Sequence, residues 1–421
     1  MQFLRLRRLL GMKIGFLFNH DQTHQVAHSL PIALEIIRNH RNAEVVVATT
    51  NDRLSDEVRY FAKQAGVEVP LVQLGLKKHA TQFAARFLEG VVPVSKIGVY
   101  RDNLDFFRGL DALVVAEKTS LLLKTRYGLT DLKMIHTRHG AGDRAIGFNK
   151  ASAGFDHVLV SGPKIRERLA FDAGVPEDKM STVGYPKFDY LPPAPALPFQ
   201  GNGRPTVLYN PHSSPHLSSW YKHGRSVLEY FLRDGSYNLI FAPHVMLFHR
   251  SFVVSIDKLR ISMPGRISRR FLEAPNIHID LGSRASTDMS YTAAADIYLG
   301  DVSSQVYEFL QRPRPCLFLD SHDTDWRGDP NYAHWQAGDV LKDTRRLGRA
   351  LDLAVSGHDR YRPAQRALFE RSFDLTAEPS ARRAARAIMG VLAPVPPTPI
   401  FGTRTPDEKK TSTGAATARG A

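Results

Sequence analysis

Short, almost unbroken apolar runs alternate along the chain with longer stretches whose apolar residues recur every three or four positions. The runs fall at 12–18 (MKIGFLF), 44–49 (EVVVAT), 69–74, 112–116 (ALVVA), 133–137 and 157–161. Runs this short, apolar on both faces, predict buried strands. Helical spacing predicts helices over about 27–39, 55–65 and 163–173. Gly66 closes the second, and the third has Pro163 in its first turn and Gly174 just past its end. Residues 83–108 keep no single period and read as helical in parts. Strands alternating with helices of this length predict a parallel, doubly wound sheet.

Residues 191–205 (LPPAPALPFQGNGRP) break the pattern with a stiff proline segment and then a flexible one, which predicts a domain boundary. The alternation then restarts, with strands at 206–209, 239–242 and 277–281 and a helix at about 220–232. The most informative stretch follows. Residues 296–300 (DIYLG) predict a strand; Asp301, Ser303 and Ser304 come at once, then Val306, Tyr307, Phe309 and Leu310 at helical spacing. Pro313 and Pro315 end that helix, and 316–319 is a further strand. This is one βαβ unit, with polar residues where the strand's carboxyl end meets the helix. Ser303 or Ser304 can cap the first turn, whose free N–H groups suit a phosphate; a plain helix cap is the simpler reading of these residues alone. Helices at 344–355 and 381–392 complete the pattern, and the last can pack back across the junction. The expected organisation is an α/β fold of two doubly wound Rossmann-like domains, 12–190 and 206–392, joined by 191–205 and followed by a disordered tail, 393–421. Two such domains facing across a cleft form the glycosyltransferase B (GT-B) arrangement, in which ligands bind outside the carboxyl ends of the strands.

Composition narrows the chemistry. A single cysteine, Cys316, lies in an expected strand and excludes a disulfide framework. No run is long enough to span a bilayer, and MQFLRLRRLLG lacks the apolar core and cleavage site of a signal peptide. It reads as an extension ahead of a start at Met12, and a cytoplasmic location is expected. The net charge of +14 implies attraction to polyanions. The basic residues are scattered, without the aromatic-interleaved patch of a nucleic-acid module, so anionic lipid or a phosphate-rich substrate is the favoured partner.

Candidate site residues sit at expected strand ends. His139 and Gly140 follow the strand at 133–137: glycine admits close backbone approach to a ligand, and histidine can act as a base near neutral pH. His244 ends the strand LIFAPH at the mirror position, with His249 and Arg250 nearby, a combination able to clamp a diphosphate. Asn210, Pro211 and His212 line the same edge. Each block alone also reads as an ordinary surface loop. His20, His24 and His28 at spacings of four, and Asp323-Thr324-Asp325, are weak metal candidates without ligand-spaced partners.

Taken in order, these blocks resemble the CDP-glycerol glycerophosphotransferases, the teichoic-acid-type polymerases and primases. Arg138-His139-Gly140-Ala141-Gly142-Asp143-Arg144 stands where that family has W-H-G-T-P-x-K. Gly184-Tyr185-Pro186-Lys187-Phe188-Asp189 stands for G-Y-P-R-x-D, Ala242-Pro243-His244 for a strand ending in His-Pro, and Gly300 to Ser304 for T-D-Y-S-S. Arg312 to Asp320 matches the block after the next helix. The chain departs at Ala141, Gly142, Arg144 and Val245. The resemblance implies attack by an acceptor hydroxyl on the glycerol-bearing phosphorus of CDP-glycerol, with release of CMP. It implies His139 as base and His244, with Arg250, Ser303 and Ser304, as the diphosphate clamp. Gly140 and Arg144 would serve on the donor side, Asp301 would orient the serines, and Glu308 would reach the ribose. No metal and no cofactor enter this scheme. The implied acceptor is a lipid-linked or cell-envelope glycan hydroxyl, so a peripheral position on the inner face of the membrane is expected, with the first domain on the acceptor side. A GT-B sugar transferase, a UDP-sugar 2-epimerase and a non-catalytic nucleotide-binding protein are the alternatives.

Overall fold

The computed structural model describes residues 11–20, 23–77, 94–138, 140–249, 253–255 and 260–393. Two parallel sheets dominate. The first holds seven strands: β1 (Met12–Phe18), β2 (Ala43–Thr49), β3 (Leu71–Gln73), β4 (Ala112–Val115), β5 (Lys133–Thr137), β6 (His157–Val160) and β7 (Met180–Thr182), in the order β3-β2-β1-β4-β5-β6-β7. The second draws on β8 (Thr206–Asn210), β9 (Asn238–Phe241), β12 (Ile277–Ile279), β13 (Ile297–Gly300), β14 (Cys316–Leu319) and β15 (Asp339–Leu341), in the order β12-β9-β8-β13-β14-β15. A small antiparallel hairpin, β10 (Val253–Ser255) with β11 (Arg260–Ser262), lies apart from both.

The apolar runs become strands because both faces of each sheet are covered. Along β1 and β2, Ile14, Phe16, Val45 and Val47 face the helix Val26–Asn39, while Leu17 and Ala48 share the opposite core with Tyr100 and Phe107. In the second sheet Leu208, Ile240, Tyr298 and Phe318 form one core, and Tyr209, Phe241, Leu299 and Leu319 the other. The sequence boundaries agree with the strands to within a residue or two almost everywhere. β15 and the helix Arg362–Ser372 have no counterpart among the expected elements.

Strand order reverses between β1 and β4 in one sheet and between β8 and β13 in the other. Such switch points open a crevice at the carboxyl ends of the strands. In the second sheet, Gly300 pairs in register with Asn210, so the loops after β13 and β8 leave the sheet side by side.

The chain then returns. The helix Ser380–Leu392 buries Ala384, Ala385 and Ile388 in the first sheet's core. Asp189 receives the Ser380 and Ala381 N–H groups at 3.1 and 2.6 Å and so fixes the start of that helix. Gly184, at φ +81°, passes so close to Ser380 that an added Cβ would meet its Oγ at 2.4 Å, which explains the glycine before Tyr185. Phe199 of the proline-rich linker is buried in the second domain's core.

Candidate functional site

The cleft between the two sheets encloses a cavity of about 380 Å³, within the range of small-ligand sites, roughly 300–1,000 Å³. From the first domain it is lined by Gln25, His28, Arg138, Gly140, Gly142 and Arg144, and from the second by His212, His244, Ser303, Ser304 and Glu308. Gly140, Arg144, His244, Ser303, Ser304 and Glu308, all expected from sequence, therefore meet at one place. His139 and Arg250 lie outside the described residues.

Two loops close on each other here. Gly140 has φ +74°, and a Cβ on Gly140 or Gly142 would stand 3.5 Å from Ser304 Oγ or 3.2 Å from Ser304 Cβ respectively. The glycines admit the opposing serine loop as well as any ligand. Asp143 anchors their loop. Its buried carboxylate receives Tyr307 Oη at 2.6 Å, Lys164 Nζ at 2.8 Å and the His334 ring at 2.9 Å. Burial alone would raise its pKa, but the His334 hydrogen bond and the Lys164 charge override it and hold the carboxyl well below its ordinary value. Tyr307 and His334 belong to the second domain, so Asp143 ties the two halves together. Lys187 and Glu308 form a second tie, a buried pair at 2.7 Å in which Tyr185 Oη also donates to Glu308 at 3.0 Å. Glu308 thus lines the cavity with Oε1 already engaged.

Of the second domain's histidines, His212 and His244 are each held in one tautomer. His212 Nδ1 accepts from Ser214 N at 2.9 Å, and His244 Nδ1 accepts from Met246 N at 3.2 Å, which leaves the proton of each neutral ring on Nε2. Burial drives the pKa of His244 down to about 4. His212 also lies well below the ordinary range, through burial and then the proximity of His244 and Arg144. The ring centroids lie 5.5 Å apart. Near neutral pH the pair are uncharged donors.

Two expectations are corrected. Asp301 does not bond the serine side chains: among the described residues its carboxylate accepts from His212 N at 2.9 Å, from Ser219 N and Oγ at 2.6 and 2.9 Å and from Val302 N at 2.6 Å, joining the loops that part at the switch point. Its burial outweighs these bonds and raises its pKa to about 6. The helix after the serines covers only Gln305–Phe309, too short for a strong macrodipole, and no side chain caps it closely. Ser303 Oγ stands 3.4 Å from Gln305 N. What the segment presents to the cleft is two hydroxyls rather than a capped helix end.

The other sequence candidates lie elsewhere. His136 is a strand residue, its Nε2 against Ala116 O and its ring stacked on Phe155. His20 pairs with Glu117 at 2.8 Å, and His249 is exposed. Asp323 forms an exposed pair with Lys342. Among the described residues no three His, Cys, Asp or Glu side chains converge as metal ligands, and no helix is long and apolar enough to cross a membrane. Cys316 is buried, which pushes its thiol well above the ordinary range. Sequence reasoning did not single out Gln25, Lys187, Tyr307 or His334. Lys187 alone carried a signal, as the basic position of the Gly-Tyr-Pro block.

No protein-family model matches the chain, and no curated protein matches it. Solved structures do. The S. aureus MnaA–UDP complex superposes with a TM-score of 0.58 at 13% identity, over 90% of this chain and 97% of that one. The UDP-GlcNAc 2-epimerase from Neisseria meningitidis bound to UDP-GlcNAc gives 0.57 at 14%, over 90% and 99%. The wall teichoic acid polymerase TagF, in crystals soaked with CDPG, gives 0.56 at 14%, over 90% and 88%. At these identities the likeness establishes the fold. The chain has the two-domain GT-B-like α/β architecture.

Proposed function

We propose that the protein is a nucleotide-dependent transferase that moves a glycerophosphate or related polyol-phosphate unit from CDP-glycerol to an acceptor hydroxyl. The observation that carries this reading is the convergence of neutral His212 and His244 with Ser303 and Ser304, faced across the cleft by Gly140, Gly142 and Arg144. Hydroxyl and Nε2–H donors with one arginine suit a diphosphate, and preorganised donors stabilise charge that grows in a displacement at phosphorus. The carboxylates that line the cavity, Asp143 and Glu308, are each already paired with a lysine, so they oppose an anion weakly.

In the reaction the acceptor oxygen bonds to the glycerol-bearing phosphorus. The bond from that phosphorus to the bridging oxygen breaks, and CMP leaves with the electron pair. The hydroxyl proton passes to His139, which follows Arg138 and precedes Gly140 in the chain, both of them cavity residues. Arg250 would assist His244 at the diphosphate. The resemblance of the ordered sequence blocks to glycerophosphotransferases supports the donor, as does the solved TagF neighbour soaked with CDPG. The UDP-GlcNAc 2-epimerase neighbours favour a second reading, a UDP-sugar enzyme on the same fold. A thermal-shift panel of CDP-glycerol, CDP-ribitol, CMP, UDP-GlcNAc and UDP tests the choice. Stabilisation by CDP-glycerol and CMP is expected, and stabilisation by the uridine nucleotides alone would reject the cytidine donor.

A further inference from the structure

The second domain holds another cavity, outside the cleft, that the nucleotide reading leaves unused. It measures about 550 Å³, again within the roughly 300–1,000 Å³ of small-ligand sites, and shares no lining residue with the cleft cavity. It lies at the carboxyl ends of β14 and β15, where Asp320 and Lys342 follow the two strands. The turn Pro330–Ala337 stands between the two cavities: His334 lines the cleft, and Trp335, the next residue, lines the second cavity. Trp335 is fixed there, since Nε1 donates to Asp301 O at 2.7 Å and the ring packs against Tyr332 and Phe318. Trp326, half-buried, meets Trp335 in a T-shaped contact with centroids 5.8 Å apart. Tyr361, also half-buried, completes the aromatic lining, its hydroxyl donating to Asp339 at 2.6 Å.

The polar groups of this cavity define the ligand. Its charged side chains are Asp320 and Asp339 against Arg327 and Lys342, so the lining carries no net charge. Asp320 accepts the His322 and Thr324 N–H groups at 3.1 and 2.9 Å, Asp339 pairs with Arg360 at 2.6 Å, and Lys342 pairs with Asp323 at 2.9 Å. Among the described residues the Arg327 guanidinium, the Thr324 hydroxyl and the Gln336 amide form no hydrogen bond or ion pair, although Arg327 lies over the Trp326 ring at 4.8 Å. An anion asks for donors alone and a cation for acceptors alone. Guanidinium, amide and hydroxyl together offer both, and a hydroxyl group is likewise both donor and acceptor. The ring surfaces of Trp326 and Tyr361 call in addition for a flat apolar face. A sugar ring has this combination, with hydroxyls around its edge and C–H groups on its faces.

We propose that this cavity is a carbohydrate-binding site, which takes an uncharged sugar ring with its face on Trp326 and Tyr361 and its hydroxyls on Gln336, Thr324 and Arg327. The site goes beyond the transferase reading and does not depend on it. Two of the chain's three tryptophans line the cavity, so tryptophan fluorescence reports its occupancy. The full chain is titrated by fluorescence and calorimetry with glucose, galactose, N-acetylglucosamine and maltotriose, and with glucuronate and glucosamine as charged counterparts; glucose against maltotriose separates a free sugar from a glycan chain. At least one uncharged sugar should bind with a Kd of about 1 mM or tighter, and more tightly than either charged one. Trp326→Ala and Gln336→Ala should each weaken that binding by about tenfold or more, whereas Ser303→Ala with Ser304→Ala, in the cleft, should leave it unchanged. Gln336 is exposed, so its variant remains informative if Trp326→Ala does not fold. Absence of binding by all four uncharged sugars would overturn the proposal, as would tighter binding of glucuronate or glucosamine. So would binding that survives both Trp326→Ala and Gln336→Ala, or binding lost in the serine variant, which would move the sugar into the cleft.

Discussion

Replacing Asp143 with asparagine keeps the side chain's shape and removes its charge. Four donors converge on this carboxylate: Tyr307 Oη, Lys164 Nζ, and the His334 backbone and ring nitrogens. The asparagine amide can accept at one oxygen only and turns N–H groups toward the others. Lys164, which also stacks on the Tyr307 ring at 3.6 Å, is left as a buried cation without its partner. Breaking a buried ion pair from one side costs about 3–5 kcal/mol. Urea unfolding at pH 7, followed by tryptophan fluorescence, should register a loss of that size. The pH dependence follows from the sign of the shift. The folded-state pKa of Asp143 is depressed, so its contribution is complete above the ordinary carboxyl value of 3.8 and is lost as pH falls below it. Wild type and variant should therefore converge by about 1.4 kcal/mol per pH unit below that point. The loop carrying Gly140 and Gly142 should loosen against Ser304, and nucleotide affinity should fall with stability. A loss under about 1 kcal/mol at pH 7, with nucleotide affinity unchanged, would refute the role of Asp143 as the tie between the domains.

Three further outcomes follow from the same site. His139→Ala should lower turnover by about a hundred- to ten-thousandfold while the nucleotide still binds; near wild-type turnover in single-turnover assays would remove His139 from the mechanism. Ser303→Ala with Ser304→Ala should weaken donor binding by roughly 1.5–3 kcal/mol for each charged hydrogen bond lost, seen by calorimetry in the donor's affinity and not in the rate at saturation. A lower melting temperature with unchanged donor affinity would return the serines to a structural role. The full chain should co-sediment with anionic but not neutral vesicles at low salt, through its basic surface and the Arg5, Arg7 and Arg8 segment, and should be released as salt rises; equal, negligible binding to both vesicle types would contradict this.

The strands were legible because the sheets are parallel and covered on both sides, so burial demands continuous apolar runs. β1, β5, β14 and the helix Pro163–Ala173 begin and end where the apolar pattern places them. β15 escaped notice because it is a three-residue edge strand, Asp-Val-Leu, buried only in part. The helix Arg362–Ser372 escaped because its fully buried residues are Gln365 and Ser372, so no apolar stripe marks it. Gln365 replaces hydrophobic packing with hydrogen bonds to Arg314 O, Ala337 O and His358. The cleft was visible as polar residues at strand ends, since topology brings those ends together whatever their sequence separation. Partnerships across the cleft were not visible. Asp143 with His334, or Lys187 with Glu308, joins residues more than a hundred positions apart, and nothing local in a sequence encodes which carboxylate a lysine will meet. The side chain of Asp301 was misassigned for a related reason: its neighbours in sequence are the serines, but its neighbours in space are on the loop after β8.

The central claim concerns which phosphorus is attacked and which nucleotide leaves. The purified protein should be incubated with CDP-glycerol and a hydroxyl acceptor, and in parallel with UDP-GlcNAc, with the nucleotides and sugars then resolved by chromatography and mass spectrometry. CMP should appear from CDP-glycerol in step with one glycerophosphate added per acceptor hydroxyl, and UDP-GlcNAc should remain unchanged. Conversion of UDP-GlcNAc to its 2-epimer, with CDP-glycerol left intact, would contradict the transferase reading directly.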